Sequence, residues 1–276
     1  MINILIPTDF SLNSWNAIEY AISLYHNHNV SFYLLHIKKE NEDGCSGVQS
    51  GHVLTTAKPV VSKSLFKPFL KKIEQIGLKK NHRVFTILEQ GCLVEIIRKQ
   101  VYDKQIDLIV MGAKGASSAK NLEISPNVLE ILSKVQCNSL IIPQNAVYKS
   151  LRQIALATDH SIFYTTPILE SLASISKQNK ADLHVLYLSK TETRLSSEQL
   201  QNREIIQEYF SLDSHFFHSI TNKNLENALQ GFIENQPVEL LVMMAKNIHL
   251  FQQLLYKSVS KKVAYHNYLP FFILHE

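Results

Sequence analysis

Two glycines, a lysine and a helix start lie where a chain of this kind can hold an anion. Asp107-Leu-Ile-Val-Met-Gly112-Ala-Lys-Gly115 runs from an apolar strand straight into glycines three apart. Glycine lets backbone approach a ligand closely and lets successive N–H groups converge on one point, and Lys114 adds positive charge. Nine residues intervene before Ser125-Pro126-Asn127, which opens a predicted helix whose N-terminal end favours negative charge. A phosphate is the group such an arrangement suits. The same Ser125 and Pro126 also make a good helix start with no ligand, serine as N-cap and proline at the first helical position.

Other chemistry is harder to build. On a strand, His215 and His218 point to opposite faces, and His26 and His28 sit in a loop after a helix, so neither pair has metal-ligand geometry and no metal site is expected. His36 on an apolar strand reads as a packed, hydrogen-bonded histidine. Cys92, just past Gly91 at a helix start, could have its thiol pKa lowered there, but a structural cysteine is the preferred reading. Phosphate-loop, nucleophile-elbow and His-Glu-x-x-His motifs are absent, and nothing supplies a general base beside a nucleophile. No catalytic residues are assigned, and the chain is not expected to be an enzyme.

The elements that would position the glycines follow from periodicity. Apolar runs of strand length alternate with period-3.6 runs, the pattern of a parallel sheet covered by helices on both faces. Strands are expected near 2–8, 30–37, 82–89, 107–111 and 138–142, and helices near 12–27, 62–80, 92–104 and 125–135. The second half repeats the order, with strands near 152–157, 181–188, 214–220, 238–243 and 270–274 and helices near 162–178, 196–212, 223–234 and 257–266. In such a sheet ligands bind beyond the carboxyl ends of the strands, where the strand order reverses.

The chain repeats itself. Glu239-Leu-Leu-Val-Met-Met244-Ala-Lys-Asn247 answers the glycine segment 132 positions later, and Ile154-Ala-Leu-Ala-Thr-Asp159-His-Ser161 answers Ile4-Leu-Ile-Pro-Thr-Asp9-Phe-Ser11 at an offset of 150. The second copy is therefore shorter by about 18 residues, lost where the first has a bridge from Lys38 to Val61 with Gly44, Gly47 and Gly51. That bridge reads as a flexible excursion that could serve as a lid. The boundaries expected are 1–146 and 147–276. The join at Gln144 to Ser150 is too short for a free linker, so the halves should pack together. In the second copy Met244 and Asn247 replace both glycines, which removes the backbone approach a phosphate needs. Asp159 is expected to cap the following helix.

Composition agrees with a globular protein. Hydrophobic residues make up 45% and charged residues 19% of the 276, and no apolar run approaches the roughly 20 residues that cross a bilayer. No secretory signal is visible, and three scattered cysteines suit a reducing compartment, so a cytoplasmic location is expected with no membrane partner. Residues 1–149 carry 17 basic and 12 acidic side chains and the rest 11 and 12. The excess lies largely in Lys63, Lys67, Lys71, Lys72, Lys79 and Lys80 at helical spacing. They read as a solvated helix face, not a nucleic-acid surface, because no aromatic side chains interleave them.

Taken together, the Pro7-Thr-Asp9-Phe-Ser11 start, the Gly112-x2-Gly115 loop and the Cys137-Asn-Ser-Leu-Ile-Ile-Pro143 finish resemble the universal stress protein family, here in tandem. Many members bind ATP through Gly-x2-Gly-x9-Gly-Ser/Thr. The resemblance implies an α/β fold of two Rossmann-like, adenine nucleotide alpha hydrolase-like domains, each a five-stranded parallel sheet with helices on both faces. It implies that Asp9 faces adenine, that the Ile37 backbone meets it, and that Gly112 and Gly115 cradle phosphates. Lys114, Ser125 and Asn127 are the added phosphate candidates. Asp9 and Asp107 could hold adenine or a metal–phosphate. The chain departs from the pattern at Ser125-Pro126, where proline removes one N–H donor, and in the second half, where Lys257 replaces the third glycine and only Ser258 fits. One ATP in the first half and none in the second is the expectation. Family domains pair through their last strands, so Leu140-Ile-Ile142 and Phe271-Phe-Ile-Leu274 are expected to form an intrachain pseudo-dimer. The resulting module binds or signals. The alternatives are a nucleotide-independent interaction scaffold and, behind it, a slow ATP hydrolase.

Overall fold

Among the described residues, strand and helix alternate from 2 to 142 and again from 153 to 244, as the periodicity requires. The computed structural model describes residues 1–38, 59–115, 124–192, 194–247 and 268–276. The first half comprises β1 (Ile2–Pro7), α1 (Leu12–Leu24), β2 (Val30–Lys38), α2 (Pro59–Ile76), β3 (His82–Gln90), α3 (Leu93–Lys104), β4 (Leu108–Gly112), α4 (Pro126–Lys134) and β5 (Ser139–Ile142). The second comprises β6 (Gln153–Thr158), α5 (Thr166–Asn179), β7 (Asp182–Ser189), α6 (Ser197–Tyr209), β8 (His215–Thr221), α7 (Leu225–Asn235), β9 (Leu240–Met244) and β10 (Phe271–Leu274). The helix expected near 257–266, the glycine-bearing bridge with Cys45, and Lys257 and Ser258 lie outside the described residues.

The ten strands among the described residues form one sheet, ordered β3-β2-β1-β4-β5-β10-β9-β6-β7-β8. Each half is parallel within itself, and β5 meets β10 antiparallel, Leu140 opposite Phe272. The order reverses between β1 and β4 in one half and between β6 and β9 in the other. Two apolar layers, one on each face, run through both halves. Ile4, Phe32, Phe66 and Leu156 share one, and Leu5, Ile97, Ile131 and Leu241 share the other. The join is packed as its length requires. Asn16 Nδ2 of α1 donates to the carbonyls of Pro143 (3.1 Å) and Ala146 (2.9 Å), and Tyr148 meets Tyr20 edge-on. Across the junction Asn138 donates to Ser171 Oγ at 3.1 Å and accepts the His275 N–H at 2.9 Å. The described lysines of the α2 region, Lys67, Lys71, Lys72, Lys79 and Lys80, are exposed.

One element starts late. A helix from residue 162 would place Pro167 beyond the first turn, where it lacks the N–H for the helical bond and its ring strikes the carbonyl four residues back. α5 therefore begins at Thr166, with Pro167 inside its first turn and Thr165 at the N-cap. Tyr164 is buried instead, its hydroxyl donating to Thr158 Oγ1 at 2.7 Å. Asp159 consequently does not cap the helix. It accepts the Ser161 N–H in a local turn at 2.9 Å, and the earlier expectation for it is corrected.

Two histidines, His160 buried and His275 half-buried, should make the fold acid-sensitive. Burial, then Arg203, lowers the His160 pKa to about 4 against the opposing pull of Asp159, and burial lowers His275 to about 4 as well. Between that value and the ordinary 6.5 the unfolded chain binds protons that the native chain refuses, so the stability is complete above about 6.5 and is lost as pH falls towards 4. Each histidine can contribute up to about 3 kcal/mol of this loss. Urea midpoints should drop from pH 7 to pH 4.5, and His160→Phe should shrink the drop. A midpoint as pH-sensitive in that variant as in the parent would contradict the assignment to His160.

Candidate functional site

Beyond the carboxyl ends of β1 and β4, at the reversal of strand order in the first half, lies an open cavity of about 950 Å³. Its wall contains all seven residues expected from the sequence: Asp9, Ile37, Gly112, Lys114, Gly115, Ser125 and Asn127. Three helix starts border it, through Ser14 in the first turn of α1, Cys92 at the N-cap of α3 and Ser125 at the N-cap of α4. Their N–H groups and dipoles favour an anion.

Asp9 is set by a tight turn. Its Oδ1 accepts the Ser11 N–H at 3.0 Å, and Thr8 Oγ1 accepts the Phe10 N–H at 3.1 Å. Phe10 takes φ +61°, a left-handed conformation that non-glycine residues avoid. Packing offsets that strain, since its ring lies 4.6 Å from His36 and 5.2 Å from Phe66. The second half reproduces the turn, with His160 at φ +56°.

Gly112 ends β4 against α1. A Cβ there would lie 2.7 Å from Asn13 Nδ2 and 2.9 Å from the Asn13 backbone oxygen, so the position requires glycine. Taken alone, the Met at position 244 implies that a side chain is tolerated at 112. The structure reverses that inference. In the second half α5 starts late, and Phe163, the counterpart of Asn13, is 58% exposed instead of lying over the strand end.

Ser125 is a helix cap. Its Oγ accepts the Val128 N–H at 3.3 Å, its own N–H donates to Ala113 O at 2.8 Å, and Pro126 follows at the helix start. Asn127 stands exposed in the first turn. Around the rim, charges are matched. Arg98 pairs with Glu95 and donates twice to the Lys134 carbonyl, while Lys134 pairs with Glu130 at 2.7 Å.

Asp107 is not part of the site. Its Oδ2 accepts the Asn3 N–H at 2.7 Å at the opposite, N-terminal end of the strands, and Glu239 does the same for Gln153, also at 2.7 Å. The two acids therefore align first strands with fourth strands and hold no base or metal–phosphate. Three residues went unassigned from sequence. His36 lines the cavity, with Nδ1–H donating to Thr8 O at 2.7 Å. Cys92 also lines it. Asn13 donates to Lys114 O at 2.9 Å. For His36 the signal was its place immediately before Ile37. For Asn13 no local signal existed.

At the equivalent strand end of the second half, the described side chains contact one another. Asn247, standing where Gly115 does, donates to Asp159 Oδ1 at 2.6 Å, while buried Met244 belongs to the same apolar cluster as Tyr164 and buried His160 stacks on Tyr187. The histidines once weighed as ligands have other partners: His218 Nε2 lies 2.9 Å from His184 Nδ1, and His215 Nδ1–H donates to Asp213 O.

Residues 1–143 match the model of the universal stress protein family, a span covering just over half the chain and ending after β5. This chain belongs to that family. No curated protein matches it. Among solved structures, a universal stress protein from Archaeoglobus fulgidus is similar over 99% of this chain and 96% of its own, with TM-score 0.66 and 18% identity. A putative universal stress protein from Pseudomonas aeruginosa is similar over 99% and 92%, with TM-score 0.59 and 13% identity. The cytoplasmic domain of a prokaryotic cation chloride cotransporter is also similar, over 100% and 95%, with TM-score 0.55 and 10% identity. At these identities the universal stress protein fold is shared and function does not follow from it.

Proposed function

We propose that this universal stress protein is a cytoplasmic tandem module, with units 1–146 and 147–276, that binds one ATP in the first unit and signals its occupancy without catalysing a reaction. The observation that carries the reading is the cavity at the strand-order reversal, where the glycine loop, Asp9 and three helix starts meet. Asp9 and the Ile37 backbone are the adenine contacts. Gly112, Lys114, Gly115 and Asn127 are the phosphate contacts, with Ser125 beside them. The second unit acts as a built-in partner, its β10 taking the place of a second copy's last strand against β5. No described helix is long and apolar enough to cross a membrane.

Calorimetric titration with ATP should give one site per chain, because Met244 and Asn247 stand where the first unit has its glycines. Two equivalent sites would contradict that. A second reading, a nucleotide-independent scaffold, is favoured by Pro126 and by the commitment of Ser125 to its helix cap. Native mass spectrometry of the freshly purified protein separates the two, since retained adenine nucleotide at one per chain supports the first and bare protein that also ignores added ATP supports the second.

A further inference from the structure

We infer that Asn13 is the positioning residue of the glycine loop, holding it in the orientation that receives an anion; this rests on the nucleotide reading above. Asn13 sits in the first turn of α1 and is 6% exposed. Its amide spans 101 residues to donate to the Lys114 carbonyl at 2.9 Å. A trans peptide plane points C=O and the following N–H in opposite directions, so fixing the Lys114 oxygen towards α1 turns the Gly115 N–H away from that helix. Gly115 itself lines the cavity.

The same side chain explains the glycine at 112. Asn13 lies so close to the end of β4 that no Cβ fits between them, and this contact brings its Nδ2 within reach of the loop. The geometry also carries a penalty, because Asn13 Oδ1 is buried without a partner. Turning the amide over would set that oxygen against the Lys114 carbonyl, so the orientation is fixed. A residue kept only to pack α1 on β4 would not need an amide whose oxygen goes unpaired. The second half has lost both partners together: Phe163, largely exposed, stands for Asn13, and buried Met244 stands for Gly112.

Asn13→Asp removes the donor and keeps the shape, and Asn13→Ala carries the test should a buried carboxylate prevent folding. Two readouts apply to the full chain. Without nucleotide, the ¹⁵N heteronuclear NOE of the Gly115 amide should fall in the variants. In titrations, ATP should bind about tenfold or more weakly, the loss expected for one hydrogen bond to a charged group, while adenosine changes by less than about twofold. An unchanged Gly115 NOE overturns the inference whatever binds, and so does an equal weakening of ATP and adenosine, which would mean a merely structural role. A lower NOE in a protein that binds neither compound even as wild type upholds the clamp and defeats the nucleotide reading.

Discussion

Gly112→Met should strongly destabilise the protein, not merely empty its cavity. The added Cβ would lie 2.9 Å from the Asn13 backbone oxygen as well as 2.7 Å from its side chain. Side-chain contacts can be relieved by a rotamer change, but a contact with a helix carbonyl is relieved only by moving α1, which is packed through buried Ala17, Ile18 and Ala21. Overpacking of this kind costs about 1–3 kcal/mol for small additions, and a whole methionine side chain should reach or exceed the upper end. Gly112→Ala should fall near the lower end, and adding Asn13→Ala should recover only part of that loss, because the backbone oxygen remains. Urea denaturation of the series checks this. A Gly112→Met protein unfolding at the wild-type midpoint would show that α1 yields freely and that glycine is kept at 112 for another reason.

Ser125→Gly with Pro126→Ser should raise ATP affinity while lowering stability. The change restores the Gly-Ser of the family pattern and returns an N–H that Pro126 removes at the start of α4. One added hydrogen bond to a charged phosphate is worth about 1.5–3 kcal/mol, roughly ten- to a hundredfold in affinity. The lost cap is the Val128 N–H to Ser125 Oγ bond, 3.3 Å long. Removing it, along with a proline set for the helix, costs on the order of 1 kcal/mol. Titration and thermal unfolding should therefore move in opposite directions. A double variant that is less stable and still shows no ATP binding would reject the weakened-site reading and favour the scaffold.

Much of this molecule is written locally. Strand and helix order within the described residues, the Ser125 cap and the residues at the strand ends were legible, because apolar period, capping chemistry and strand-end glycines act within a few residues of where they are read. The expectation that the two last strands meet came from resemblance; that they pair antiparallel, Leu140 opposite Phe272, came from the structure. The errors share one cause, contacts between residues far apart in sequence. Asp107 looked like a site carboxylate until the fold placed it beside the Asn3 N–H at the other end of the sheet. Asp159 looked like a cap until α5 started late at Thr166 and Asn247 came within 2.6 Å of it. Gly112 looked replaceable because its counterpart is Met244, and only the approach of α1 shows that the two strand ends have different neighbours. The sequence by itself determined which of the described elements form and which residues gather at the strand ends, since those properties belong to short segments. Which glycine serves packing and which acid serves strand alignment were decided by tertiary structure, because each depends on how closely one element approaches another.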